Sequence, residues 1–213
     1  SLLSSGRRSS YADRNSTIGL HGRRHGGPVC DAMQGLRQLR DRRTGWETVI
    51  VVLMGVSGCG KTAVGQALAA DLGWPFFDGD DFHPAANVAK MAAGTPLTDA
   101  DRWPWLDRLA EEMAALNGRG ADAVFACSAL KQAYRDRFRR AGEVRFVHLK
   151  GDYETIAARV ATRTHRYMPA ALLTSQFATL EEPQDAIVVD VRDAIPVKIA
   201  KIRAALQRDR GAG

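Results

Sequence analysis

The sequence predicts an α/β fold, a three-layer sandwich in which a five-stranded parallel sheet is covered by helices. Two observations carry this. Five short apolar runs alternate with stretches of helical period, and continuous apolar strands separated by helices mark a parallel sheet buried on both faces. The first run is joined to the first helical stretch by Gly55-Val-Ser-Gly-Cys-Gly-Lys-Thr62. That is the G-x-x-x-x-G-K-[ST] spacing of a phosphate-binding loop in its strand-to-helix context, which makes the sandwich one of the P-loop NTPase type.

Residues 1–46 come first and are expected to form a basic extension outside the fold. They hold nine Arg against three Asp, and so carry the whole net charge of +6; residues 47–213 hold 21 basic and 21 acidic side chains. Residues 1 to about 27 mix Ser, Gly, Arg and Asn and cannot bury enough surface to offset ordering entropy, so they are predicted to be disordered. A weak helical pattern follows over Asp31 to Arg43, where Met33, Leu36 and Leu39 recur at helical spacing. The Ser/Arg-rich start has the composition of an organelle transit peptide, and Met33 is an alternative start of the chain. There is no apolar core of about 7–15 residues for a secretory signal and no run of about 20 for a membrane span. The expectation is a soluble cytoplasmic protein with no membrane partner.

Strands are expected at Thr48–Met54, Pro75–Asp78, Ala123–Cys127, Val144–Leu149 and Ala186–Asp190. Helices are expected at Lys61–Leu72, Asp99–Asn117, Ala129–Ala141, Asp152–Ala161, Pro169–Thr179 and Ala194–Arg208. The domain so defined spans residues 47–213. Its charge balance gives no basic footprint, and phosphate contacts dominate nucleic-acid affinity, so a nucleic-acid partner is not expected.

The loop has a mechanical reading. Gly55, Gly58 and Gly60 let the backbone turn its N–H groups inward around a phosphate at the positive end of the following helix. The nucleotide-binding set is Gly55, Val56, Ser57, Gly58, Cys59, Gly60, Lys61, Thr62 and Ala63. Within it Lys61 reaches the β- and γ-phosphates, and the Thr62 hydroxyl is a ligand for Mg²⁺.

In such sheets ligands bind beyond the carboxyl ends of the strands. The second strand runs out through Phe76-Phe-Asp-Gly-Asp-Asp-Phe-His-Pro84, which puts Asp78, Asp80 and Asp81 on the same rim as the loop. Carried on as an extended segment, it would turn Asp78 and Asp80 to one side and Asp81 to the other. One carboxylate can then serve Mg²⁺ while the other accepts a proton from a substrate hydroxyl. The third strand ends Ala123-Val-Phe-Ala-Cys-Ser128 without an acid, so the metal carboxylate falls to Asp78.

Asp78-Gly-Asp80, His83-Pro84, Asn87, Lys90-Met91, Gly94, Pro96-Leu97, Asp99, Asp101-Arg102 and Pro104-Trp105-Leu106 form one run of motifs. Cys127-Ser-Ala-Leu-Lys131, Tyr134-Arg135-Asp136, Leu149-Lys-Gly-Asp152, Ser175-Gln-Phe177, Thr179-Leu-Glu181 and Pro183 continue it. Together, over about residues 48 to 191, they resemble the small P-loop gluconokinases. The resemblance implies a five-stranded sheet with a mobile lid, ATP and Mg²⁺ as cofactors, D-gluconate as substrate, and a homodimer. It implies that Asp80 is the base or orienter for the sugar-acid hydroxyl and Asp78 the metal-side carboxylate. Gluconate is an anion rich in hydroxyls and calls for a guanidinium at its carboxylate. Arg102 and Arg135 are the first candidates, with His83 and Lys131 second. Arg135 also belongs to a run with Arg137, Arg139 and Arg140 that reads as solvated helix surface.

Residues 159–170 look like the lid, with Arg163 best placed to stabilise the transferring phosphoryl group. Here the chain reads His165-Arg166-Tyr167-Met168 where the family has Gly-His-Phe-Met, which leaves Arg163 and Arg166 as competing lid cations.

Two rival readings stand beside this one. Phe76-Phe-Asp-Gly-Asp80 also fits a shikimate kinase, although that reading calls for Gly-Gly where this chain has Ser128-Ala129. A nucleotide-dependent regulatory or RNA-binding module is the other, supported only by the Arg-rich extension. Cys30, Cys59 and Cys127 form no C-x-x-C pair and read as free thiols, with Cys59 either a filler in the loop or a thiol activated by helix-end amides.

Overall fold

The innermost strand is β1 (Ile50–Met54), five apolar residues that are all fully buried. Period-two alternation sends its side chains to opposite faces. Ile50, Val52 and Met54 join one core with Phe125, Leu106, Leu109, Met113 and Phe138. Val51 and Leu53 join the other with Val64, Leu68, Leu149, Ile156, Ile202 and Leu206. Two separate cores on one strand are what a sheet covered on both faces requires.

The computed structural model describes residues 48–161 and 170–211, all within the unit Trp46–Gly213. The expected extension, the helical pattern at Asp31 to Arg43 and the lid arginines Arg163 and Arg166 lie outside the described residues. After β1 come α1 (Lys61–Leu72), β2 (Phe76–Asp78), a 3₁₀ turn (Gly79–Phe82), α2 (Ala85–Ala92) and α3 (Asp99–Gly118). β3 (Ala123–Ala126), α4 (Gln132–Arg139), β4 (Val144–Lys150), α5 (Tyr153–Ala161), α6 (Ala170–Thr179), β5 (Ile187–Asp190) and α7 (Ile195–Gly211) complete the order. The five strands form one parallel sheet in the order β2-β3-β1-β4-β5. The chain builds one side of β1 with β2 and β3, then the other with β4 and β5. The loop leaving β1 therefore opens at the point where the strand order reverses, which is where such sheets take ligands.

Local chemistry fixes the helix ends. Gly73 closes α1 in a left-handed conformation (φ 69°), and its N–H and that of Trp74 return to the carbonyls of Ala70 and Ala69. Thr98 and Asp101 form a reciprocal capping box at the start of α3. The expected strands and helices are all present, with no end moved by more than three residues.

Two elements depart from expectation. β2 does not run on as an extended segment: it stops at Asp78, whose side chain accepts the Asp80 N–H at 3.1 Å and starts a 3₁₀ turn. Asp78 and Asp80 are therefore related by a capped turn rather than by strand alternation. The second is α2, which is not among the expected helices although Ala85, Val88, Ala89 and Ala92 recur at helical spacing. Its one buried residue is polar, Asn87, while Val88 and Met91 are exposed. Asn87 donates to the Asp101 carbonyl at 2.8 Å and Lys90 pairs with the Asp101 carboxylate at 2.6 Å, so α2 is docked by polar contacts.

Candidate active site

The loop after β1 is shaped by three glycines in left-handed conformations: Gly55 (φ 133°), Gly58 (φ 86°) and Gly60 (φ 101°). L-residues rarely adopt these angles. At Gly58 space is also closed, since a Cβ there would lie 2.5 Å from Val160 Cγ2. Lys61 Nζ lies across the loop, donating to the carbonyls of Gly55 at 3.1 Å and Val56 at 3.2 Å. Thr62 Oγ1 donates to Asp78 Oδ2 at 2.9 Å. The hydroxyl and carboxylate assigned to the metal are thus already neighbours, one from α1 and one from the end of β2.

Asp80 sits one turn further on, exposed at the rim. The turn carrying it is pressed onto β3: a Cβ on Gly79 would lie 2.6 Å from the Ala126 carbonyl, and Trp105 Nε1 donates to the Gly79 carbonyl at 2.7 Å. Cys127, just beyond β3, feels the charges of Lys61, Asp80 and Asp78 together. The loop lysine and both carboxylates therefore converge above β3. Burial pushes the Cys127 thiol up to about 12, which makes it inert. Cys59 is 1% exposed and packs in the core as a filler.

His83 stacks on Trp105 with ring centroids 4.1 Å apart, and its Nδ1 faces the Asn87 amide nitrogen at 3.4 Å. Accepting there favours the Nε2–H tautomer and leaves a donor on the other side of the ring. Burial lowers its pKa; Asp80 partly opposes this and Arg102 adds to it, which places all three in one electrostatic neighbourhood.

The second part of the rim joins the start of α3 to the start of α4. Asp99 is its centre. Lys131 Nζ donates to Asp99 Oδ2 at 2.6 Å, Tyr134 Oη to Oδ1 at 2.5 Å, and Arg102 to Oδ1 at 3.2 Å. The bonds from Lys131 and Tyr134 hold the Asp99 carboxyl below its ordinary value, and burial together with the Asp99 bond pushes the Tyr134 phenol up to about 12. Two cations are thus shared by one carboxylate, leaving positive charge to meet an anion.

Arg135 is not part of this rim, and neither sequence reading of it holds. It is fully buried. Its two terminal nitrogens donate to the carbonyls of Ala129 (2.9 Å), Leu130 (3.0 Å) and Glu181 (2.9 Å) and to Gln132 Oε1 (2.9 Å), and the unpartnered Nε is buried, so no donor of it is open to a substrate carboxylate. Ala129 has a positive φ of 43°, a strained angle for alanine. Arg135 secures that turn, and the turn presents Lys131. Arg135→Met is expected to lower stability by about 3 kcal/mol or more, because it leaves buried acceptors without donors. Chemical denaturation checks this.

Asn87, Asp99, Trp105 and Tyr134 had no assigned part in the site. Asn87 and Tyr134 lie four and three residues from His83 and Lys131, a helical spacing, but only packing shows which way these side chains turn. His148, at the end of β4, is 2% exposed and its pKa is also lowered by burial. The folded chain therefore binds fewer protons than the unfolded chain just below the ordinary value of 6.5, so stability falls as the pH drops through that region. A thermal midpoint that declines between about pH 7.5 and 5.5 is the expected result; a flat profile would contradict it.

A family signature described as an AAA domain matches residues 50–183. The thermosensitive gluconokinase of Escherichia coli (strain K12) is 46% identical over 160 residues, covering 73% of this chain and 86% of that protein. The gluconokinase of Gluconobacter oxydans (strain 621H) is 47% identical over 152 residues, 68% of this chain and 82% of that one. The crystal structure of a gluconokinase from Sinorhizobium meliloti 1021 superposes with a TM-score of 0.69 at 42% identity, over 76% of this chain and 93% of that one. With the phosphate loop, its paired Thr62 and Asp78 and the cationic rim already in place, these likenesses show that the chain belongs to the gluconokinase family of P-loop kinases.

Proposed function

We propose that the chain transfers the γ-phosphoryl group of ATP to D-gluconate, giving ADP and 6-phospho-D-gluconate for carbohydrate metabolism. The observation that carries the choice of acceptor is the pairing, on one rim, of a phosphate loop with two cations shared by Asp99. A sugar acid presents a carboxylate to Arg102 and Lys131, and hydroxyls to His83 and Asp80. Stepwise, the terminal hydroxyl oxygen of gluconate bonds to the γ-phosphorus as the bond to the β–γ bridging oxygen breaks. The hydroxyl proton passes to Asp80, and ADP leaves with the electron pair. Lys61 exchanges the carbonyls of Gly55 and Val56 for phosphate oxygens.

Thr62 and Asp78 would hold Mg²⁺. They offer two hard oxygens 2.9 Å apart, and no cluster of three His, Cys, Asp or Glu occurs among the described residues. That suits an ion that keeps water and phosphate oxygens in most of its positions. When bound it would neutralise charge on the β- and γ-phosphates. Arg163 is proposed as the lid cation that stabilises the transferring group, with Arg166 as its competitor.

We also infer a kinase domain over residues 47–213 that works as a homodimer in the cytoplasm with no nucleic-acid or membrane partner. The family resemblance supports the dimer, the neutral charge of 47–213 argues against nucleic acid, and no described helix is long and apolar enough to cross a membrane.

ADP release by the purified chain with Mg-ATP tests the reading, comparing D-gluconate, shikimate, other sugar acids and no acceptor. Stimulation by gluconate alone is expected. Turnover independent of gluconate, or none, would overturn it.

A further inference from the structure

Ser57, the third residue of the phosphate loop, is held by a side chain that lies 119 residues away in sequence. Its backbone N–H donates to Gln176 Oε1 at 2.6 Å, and Gln176 Nε2 donates to Ser57 Oγ at 3.0 Å. Both heteroatoms of the amide are used, so its orientation and that of the hydroxyl are set together. Because Ser57 Oγ accepts from Gln176, its own proton is turned away and remains available to donate into the loop.

The holder is itself fixed. Gln176 lies on α6, which is anchored by buried Leu173, by Phe177 against the core and against Tyr153 of α5 at 5.5 Å, and by Leu180 just past its end. On the other side, Val160 and Ile156 of α5 close on Gly58. The glycine-rich half of the loop is therefore gripped between two helices, by apolar contact at Gly58 and by a two-point amide at Ser57.

Lys61 ties the loop from within through the Gly55 and Val56 carbonyls. If Lys61 moves to phosphate, the Val56 carbonyl keeps the Cys59 N–H at 3.3 Å, and the N–H side of the peptide joining Val56 to Ser57 stays held by Gln176. We infer that Gln176 is a positioning residue for phosphoryl transfer, holding Ser57 so that its hydroxyl and the loop amides meet the terminal phosphate. This rests on the reading that the loop binds ATP for transfer. Loop glycines supply the shape, and a fixed donor array is what stabilises developing charge without reorganisation.

The test compares wild type with Gln176→Leu, Gln176→Glu, Ser57→Ala and the double variant Ser57→Ala/Gln176→Leu. The readouts are kcat with gluconate, acceptor-independent ADP release, and affinity for a fluorescent ATP analogue. Gln176→Leu is expected to lower kcat about tenfold to a hundredfold while nucleotide affinity changes less than about threefold, since positioning acts on the transfer step. Gln176→Glu keeps the acceptor for the Ser57 N–H and should recover part of that loss. In the double variant the two losses should be less than additive. Unchanged kcat in folded Gln176→Leu, a loss confined to thermal stability, or additive losses would each overturn the role. A wild type that ignores gluconate would overturn the acceptor assignment instead; acceptor-independent ADP release and analogue affinity across the variants would then decide Gln176.

Discussion

Lys61→Ala is expected to lower turnover by on the order of a thousandfold and to weaken ATP binding at the same time, because one point charge serves both bound and transferring phosphate. The geometry explains why both quantities move. Lys61 Nζ is held at 3.1 and 3.2 Å from two carbonyls of the same loop, so its charge is already over the phosphate cradle. It needs only to exchange neutral acceptors for anionic ones. Lys61→Arg should rescue little, since a planar fork cannot replace a compact ammonium in so tight a turn. The fold should survive, because Lys61 opens α1 at a solvent-facing end while the α1 core contacts come from Val64, Leu68 and Ala69. Steady-state kinetics with a nucleotide titration measure this, and wild-type turnover would sink the phosphate-loop reading.

Asp80→Asn is expected to cut kcat by about 10²–10⁴ with ATP affinity nearly unchanged, the span of a lost general base. The two acidic residues of the motif are separated by their partners. Asp78 spends one oxygen on the Thr62 hydroxyl and the other on the Asp80 N–H, which ties it to Thr62 and to the turn. Asp80 is exposed beside His83, and its carboxylate has no hydrogen-bond partner among the described residues. The amide keeps size and polarity but cannot take the proton. Loss of ATP affinity in Asp80→Asn would instead transfer Asp80 to the metal side.

Together the two variants test a division of the rim into a half that binds phosphate and a half that activates the acceptor. Gln176 acts on the first half from outside it. Arg135 acts on the second by holding the strained turn at Ala129 that presents Lys131.

The sequence by itself determined the architecture and the shape of the loop after β1. β1 is a run of apolar residues with no other use, and the loop glycines stand where the backbone must turn left-handed, so period and spacing suffice when the physics is local. The motifs from Asp78 to Pro183 carried the family as well. Tertiary structure alone decided what the remaining polar residues do. Arg135 and Lys131 lie four residues apart and are, by sequence, a first and a second choice to bind the anion, yet Arg135 is buried among carbonyls and Lys131 is paired with Asp99 at the rim. α2 leaves Val88 and Met91 exposed and docks through Asn87 and Lys90, which no hydrophobic pattern foretells. Gln176 reaches Ser57 across 119 residues. Hydrogen-bond partners far apart in sequence leave no period behind them, and burial of a charged side chain is set by whether the fold supplies acceptors around it, which only the assembled chain can do.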